Sequence, residues 1–335
     1  MKLLISMLLL INTLVASQTI KIATYNVENL FDLKHDGYEY KEYIPNGPSL
    51  WNQTNYKKKL KNLAKVIKDV DAHIIALVEV ESLSALKDLR FTLKQMGLYY
   101  EYYKIADRKN TTIKVAMLSK FPFTYTKEVF VTSSFSYRNI LEAKFKINNH
   151  DLYIFANHWS SKTHPESSRI VSAKALRKRV EEIGLDKNIV LLGDFNSNYN
   201  EEFTFKKERR LNNTYGKTGI NHILNTKKQD AKVKNAKLSR GELYNLWYDR
   251  YEADRYSYIY KSTKEALDNI IISQPLLVKK GLYYKDDSMK NLSLPYLFKN
   301  PKYIKRWEMV WGKIQKHKGE GYSDHLPVMA EFIVE

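Results

Sequence analysis

The 335-residue chain contains no cysteine. No disulfide can staple it, and no thiolate can act as nucleophile, zinc ligand or lipid attachment point. A Gly-rich phosphate loop, an HExxH pair and a serine-nucleophile motif are missing too, which closes three common routes to hydrolytic chemistry. Acids are in short supply. Asp and Glu number 37 against 55 Lys and Arg, a formal net charge of +18. That imbalance favours a polyanionic partner, whether nucleic acid, an anionic membrane surface or a phosphorylated substrate; the plain alternative is a generally basic proteome. Long apolar runs are absent after the N-terminus. The run "LLISMLLLINTL" follows "MK" and precedes "VAS", Val15 to Ser17. This is the pattern of a cleavable export signal over residues 1–17, too short to read as a membrane span. A secreted or periplasmic location is expected, with no stable membrane insertion after cleavage; an uncleaved anchor is the alternative.

What is present suits a packed protein. Hydrophobic residues make up 44% and charged residues 27%, which excludes global disorder. "QTIKIATYNVENLFD" opens with a strand over Ile20 to Tyr25. In "NYKKKLKNLAKVIKDV", Tyr56, Leu60, Leu63, Ile67 and Val70 share one helical face. "AHIIALVEVES" is a short apolar run ending in Glu79, as in a strand buried on both faces. "SLSALKDLRFTLKQMG" and "SSRIVSAKALRKRVEEIG" read as helices closed by Gly97 and Gly184. "IKVAMLS", "NILEAKFKI", "DLYIFANH", "NIVLLGDFNS", "YSYIYK", "ALDNIIIS" and "LPVMAEFIV" supply further strands. No short repeat recurs. The pattern predicts a layered α/β protein with two mixed β-sheets packed face to face and helices outside, in one domain over 18–335.

Two segments near 203–240 and 279–318 are unusually basic, with eleven Lys or Arg against two acids and eleven against three. Neither shows clean periodicity. They read either as solvated insertions or as phosphate-contacting arms; in the second, Tyr283, Tyr284, Tyr296, Tyr303, Trp307 and Trp311 are available for stacking.

Polar residues recur at strand ends. Asn26 and Glu28 follow the first strand; Glu79, then Asn157 with His158, then Asp194 with Asn196 end others. Asp268 and the pair Asp324–His325 instead open strands. All can meet at one edge only if the last strands run antiparallel to the others. Taken singly, each of these is most simply a turn or cap residue. Together, the oxygen-rich set suits a hard cation, Mg2+ or Mn2+ or Ca2+. With imidazoles beside it, that set is equipped for water attack on a phosphate ester.

"TYNVENL", "LVEVES", "NHWSSK", "GDFNS", "LDNIIIS" and "SDHLPV", in this order, resemble the motifs of the endonuclease/exonuclease/phosphatase superfamily from about Ile20 to Phe332. The resemblance implies a four-layered α/β sandwich and metal-dependent phosphoester hydrolysis. It implies Glu79 as main metal ligand with Asn26 beside it and Asp324 on the metal side. Asp194 would orient or deprotonate the attacking water, with Asn196 as its partner on the phosphate. His158 and His325 would flank the scissile phosphate, with Asp268 orienting His325. Arg138, in "SYRNILEAKF", and Asn157 are the expected phosphate-binding residues. The stretch "TTIKVAMLSK" lacks the acid that pancreatic-type relatives pair with the first histidine, so His158 is expected to have a lower pKa or another partner. Glu28 stands where relatives often carry a different polar residue, and a structural role is expected for it.

"NHWSSK" and "NLWYDRYEADRYSYIYKS" look like secreted bacterial nucleases of the family, and the net charge suits a long polyanion better than a single headgroup. The expectation is an exported, monomeric, metal-dependent nuclease acting on DNA with little sequence specificity. A sphingomyelinase-like phosphoesterase and a non-catalytic polyanion-binding protein are the alternatives.

Overall fold

A computed structural model of the chain describes residues 17–206, 208–226, 232, 233, 236 and 238–335. The expected export signal, apart from Ser17, lies outside the described residues, as do Lys207, Lys227, Lys228, Lys234 and Lys237 of the first basic segment.

The apolar runs become the central strands of two sheets. The first sheet collects β1 (Gln18–Leu30), β2 (Ile74–Val80), β3 (Tyr102–Ile105) and β4 (Lys114–Ser119). The second collects β5 (Phe123–Val129), β6 (Ile140–Ile147), β7 (His150–His158), β8 (Ile189–Asp194) and β9 (Tyr244–Asn245). A hairpin of β10 (Tyr258–Tyr260) and β11 (Thr263–Glu265) then leads into β12 (Asp268–Ile272) of the second sheet. The chain returns to the first sheet with β13 (Leu282–Tyr284) and β14 (Lys290–Asn291). Two small ribbons, β15 (Phe298–Asn300) with β16 (Tyr303–Ile304) and β17 (Met309–Val310) with β18 (Lys316–His317), precede the final strand β19 (Val328–Val334). Strand order is β13-β19-β1-β2-β4-β3, with β14 also on β19, and β5-β6-β7-β8-β12-β9.

Each sheet holds one parallel pair, β1 with β2 and β7 with β8; the other pairs are antiparallel. The parallel pairs are joined by helices, as crossover geometry requires. These are α1 (Gln53–Val70) and α3 (Glu166–Ile183). α1 and α2 (Leu83–Gln95) cover the outer face of the first sheet, where Leu63, Ile67, Leu86 and Leu89 pack on Tyr25, Ile75 and Leu77. α3 covers the second, with Ala173, Leu176 and Val180 on Phe155, Leu191 and Ile271. Between the sheets, Ile22, Ala76, Val78, Ile154, Val190, Leu192 and Ile270 form the central core. The result is the expected four-layered sandwich, helix–sheet–sheet–helix.

Capping fixes where the helices start and stop. The Asn52 side chain accepts from Thr54 and Asn55 N–H groups at 3.1 Å, and Ser82 accepts from Ala85 at 3.0 Å. Gly97 and Gly184, at φ 84° and 107°, end α2 and α3.

From sequence, the second basic segment reads either as a solvated insertion or as a phosphate-contacting arm. β13 and β14 both pair with β19, so its first part belongs to the first sheet. Tyr284 and Trp307 are buried, because Tyr284 faces the inter-sheet core and the Trp307 indole donates to His317 Nδ1 at 2.8 Å. Of the six aromatics expected to be available for stacking, Tyr303 and Trp311 remain exposed. Among the described residues no helix is long and apolar enough to cross a membrane.

Candidate active site

The site starts from two bulges at one level of the first sheet. The register shifts between Asn26 and Leu30 on β1 and between Val78 and Val80 on β2. Val78 belongs to the inter-sheet core, whereas Val80, two residues on, belongs to the outer core. Glu79 is the extra residue that breaks the alternation. It sits at φ 68°, with Glu28 and Asn29 at 49° and 61°, left-handed backbone that a non-glycine residue adopts only at a cost of about 1–3 kcal/mol. The Asn29 N–H donates to Glu79 Oε2 at 3.0 Å and the Asn26 amide to Oε1 at 3.1 Å. The same Asn26 amide donates to Asp194 Oδ2 at 3.1 Å, joining the two sheets.

The second sheet delivers three acids and bases on neighbouring strands. His158 pairs with Asp194 across β7 and β8, and Asp194 with Asp268 across β8 and β12. Gly193 makes this spacing feasible: a Cβ there would lie 2.1 Å from the Asn157 carbonyl oxygen, and its φ is 129°. His158 Nε2 lies 3.8 Å from Glu79 Oε1 and 3.9 Å from Asp194 Oδ2. Its Nδ1 is buried with no hydrogen-bond partner among the described residues, and β4 carries no acid to supply one. Asp194 Oδ1 accepts from the Asn196 N–H at 2.8 Å, and the Asn196 amide donates to the Trp159 carbonyl.

The last strand enters against its neighbours: β19 is antiparallel to β1, so its leading residues reach this same edge. His325 Nδ1 lies 2.6 Å from Asp268 Oδ2, and its Nε2 lies 4.0 Å from Asp194 Oδ2. The ring of Tyr258 packs on His325 at 4.8 Å between centroids. Ser257 stitches the two sheets, since its hydroxyl accepts from the Asp268 N–H and its carbonyl from the Leu326 N–H. Ser323 ties the lead-in of β19 to β1 within the first sheet: its hydroxyl donates to the Asn26 carbonyl and accepts from the His325 N–H.

Burial sets the electrostatics. It raises the Glu79 carboxyl above its ordinary value, helped by the charge of Asp324. It pushes Asp194 up to about 7, with Asp268 and Glu79 adding to the shift against the pull of His325. Burial, with Arg138 and His325 nearby, holds His158 well below the usual imidazole range. For His325 burial alone would do the same, but Asp268 overrides it, with Asp194 and Asp324, and the imidazole stays well above its usual value. The two imidazoles therefore differ at neutral pH, one neutral and one cationic.

These groups line a cleft of about 470 Å3 with Asp324, Asn196, Arg138, Lys162 and Arg210. Three expected residues stand elsewhere than supposed. Asn157 does not reach the cleft. It alternates with His158 along β7 and is fully buried, with its amide bonded to the Phe155 and Leu192 carbonyls and its oxygen to the Trp159 indole. Asp324 lies outside the closest group of donors, with its Oδ2 3.5 Å from Arg306. Asn26 turns its amide nitrogen, not its oxygen, towards Glu79; the oxygen accepts from the Glu28 N–H. Glu28 itself bonds the Arg306 guanidinium and the Trp307 N–H beneath the site. Sequence reasoning missed Ser257, Ser323, Tyr258, Lys162 and Arg210. Ser323 and Lys162 lie inside quoted motifs, Ser257 and Tyr258 inside "YSYIYK" and Arg210 inside the first basic segment, so each stretch was legible although these residues were not singled out.

Glu79, His158 and Asp194 each offer a donor atom, all within 4.8 Å of one another. A half-buried and a buried carboxylate, both pushed above their ordinary values, with a neutral imidazole beside them, are a donor set that fits a divalent cation.

A double-sheet α/β sandwich with acids and imidazoles gathered at one strand edge is equipped for metal-assisted hydrolysis of a phosphoester. A family model described as Endonuclease/Exonuclease/phosphatase family matches residues 21–333, and the chain belongs to that family. No curated protein matches it by sequence. Solved structures share the fold. An endonuclease/exonuclease/phosphatase family protein from Bacteroides thetaiotaomicron is 15% identical with TM-score 0.57, over 95% of this chain and 99% of that one. D. rerio TDP2 complexed with single strand DNA product is 14% identical with TM-score 0.58, over 94% and 98%. A mannosyl-6-phosphatase from Bacteroides thetaiotaomicron is 15% identical with TM-score 0.56, over 93% and 99%.

Proposed function

We propose that the protein is an exported, monomeric, Mg2+-dependent phosphodiesterase that hydrolyses nucleic acid, above all DNA, with little sequence specificity. One observation carries the reading: the Asp268–His325 pair faces the Glu79, His158 and Asp194 group across a single cleft rimmed by Arg138, Lys162 and Arg210. The net charge of +18 supports a polyanion. The DNA product held by D. rerio TDP2 shows that this fold can hold nucleic acid, and the equally similar mannosyl-6-phosphatase keeps other phosphoesters in the test below.

Glu79 would be the main ligand for the cation, with Asp194 and His158 completing the group; Mn2+ and Ca2+ suit the same oxygens. Bound there, the cation supplies charge neutralisation at the phosphoryl oxygens. Asp194 takes the proton of the attacking water. The water oxygen bonds to phosphorus and the ester P–O bond breaks. The leaving oxygen departs with the bonding pair and takes its proton from water in the open cleft. His325, kept cationic by Asp268, donates a hydrogen bond to the phosphoryl group as its charge grows. Arg138, beside the Tyr40 hydroxyl and close to Glu79 and His158, meets the scissile phosphate, and Lys162, paired with Glu265 at 2.7 Å, sits where a flanking phosphate passes.

The test is a substrate panel for the chain from Gln18 onward: plasmid, linear DNA, RNA, sphingomyelin and sugar phosphates, with Mg2+, Mn2+ or Ca2+ and with EDTA. Plasmid or linear DNA should be cut and EDTA should abolish cutting. Activity on sphingomyelin or sugar phosphates alone would replace the nuclease reading; activity on nothing would favour a non-catalytic binder.

A further inference from the structure

Beside the cleft lies a second compartment of about 420 Å3. The two share Tyr40, Ile113, Arg138 and Ser161, so they are continuous through Arg138. Their chemistry differs. Four acids, Glu79, Asp194, Glu265 and Asp324, line the cleft with Arg138, Lys162, Arg210 and the two imidazoles. The second compartment has no carboxylate and no lysine in its lining; Arg138 is its one cation. Its other polar groups are the imidazole of His164 and hydroxyls, among them Thr112, Ser134, Ser136 and Ser160. Phe135 supplies an aromatic ring that is 71% exposed.

The walls are held from behind. Lys109, 9% exposed, donates to the carbonyls of Thr132 and Tyr137 at 2.7 and 2.8 Å, and to that of Ser134. Arg169, fully buried and paired with Glu166 at 2.7 Å, donates to the carbonyls of Ser160, Ser161 and His164. Both cations are spent on backbone oxygens. They fix the two loops without adding charge to the lining, so the compartment is formed before anything enters it.

The ligand chemistry follows. A phosphate belongs at Arg138, where the compartments join. The group attached to it must be uncharged, rich in hydroxyl and amide edges, able to stack on one ring, and no larger than a single small molecule. We propose that the compartment binds one unpaired nucleoside esterified to the scissile phosphate, so single strands and strand ends are cut faster than intact duplex. This rests on the nuclease reading above.

The experiment compares methyl p-nitrophenyl phosphate, which cannot fill the compartment, with the 5′- and 3′-p-nitrophenyl phosphates of thymidine, in Mg2+. At least one thymidine ester should exceed the methyl ester in kcat/KM by about tenfold or more, the scale of one base–aromatic contact. Ser136→Trp, which fills the compartment from its rim, should bring that ratio close to unity. Phe135→Ala, at an exposed ring where folding is not at stake, should lower it several-fold. Hydrolysis of all three esters at equal rates, or a ratio unmoved in both variants, overturns the assignment and leaves the nuclease reading standing. A mannose 6-phosphate rate above that of both thymidine esters also overturns it. No hydrolysis of any ester, with no cutting of DNA, removes the nuclease reading instead.

Discussion

His325 keeps its proton in a place where burial would strip it, because Asp268 lies 2.6 Å from its Nδ1. A reaction that needs the imidazolium is therefore fully available below the raised pKa and fades as pH climbs through it. In Asp268→Asn the raising charge is gone, and the basic limb of the kcat/KM profile should move to lower pH. A limb that stays put would remove Asp268 from this role. His325→Ala should lower turnover by about two orders of magnitude or more without unfolding the chain, checked by circular dichroism beside the rate. Glu79 presents the opposite balance. Its carboxyl is raised by burial and by Asp324, so at neutral pH, without a cation, its ionised form opposes folding. Glu79→Gln should raise Tm in EDTA and abolish the rise in Tm that Mg2+ gives the unchanged protein. A variant still stabilised by Mg2+ would place the cation elsewhere.

The central elements were legible because burial on both faces leaves a continuous apolar run. "HIIALVEV", "NIVLLGD" and "LDNIIIS" are β2, β8 and β12 nearly to the residue. β3 and β5 escaped notice. Both are sheet edges, and the exposed positions of "FTYTKEV" break the apolar pattern that marks a central strand. β13 and β14 were hidden for another reason: their lysines and tyrosines read as a solvated arm, while their pairing with β19 is a long-range fact. The same division holds at the site. Acids and imidazoles at the ends of apolar runs were visible, but which way Asn157 or Asp324 turns depends on strand alternation and on Arg306, distant in sequence from both. Glycine at 193 is the clearest link between element and site. Gly193→Ala would drive a Cβ into the Asn157 carbonyl and should cost about 3 kcal/mol or more, read from the urea midpoint. An unshifted midpoint would mean that β7 and β8 tolerate a wider spacing.

Across the whole molecule the excess of cations sets how a polyanion is met. If about six phosphates are contacted, affinity for an oligonucleotide should fall roughly a thousandfold between about 50 and 200 mM salt. Fluorescence anisotropy with Ca2+ or EDTA in place of a turnover-supporting ion would measure it, and a flat response would return the basic segments to solvated surface. The described part of those segments already divides: Lys232 pairs with Asp287 and Lys279 with Asp286, whereas Arg210 lines the cleft. One further consequence follows from how the sheets share the site. Asn26 and Glu79 come from the first sheet, and His325 from the lead-in to its β19; His158, Asp194 and Asp268 come from the second. Neither sheet owns a working centre, and the strand that brings His325 is the last in chain order. A chain cut or stalled before β19 lacks His325 in place, so the site is complete only once the whole sandwich has closed.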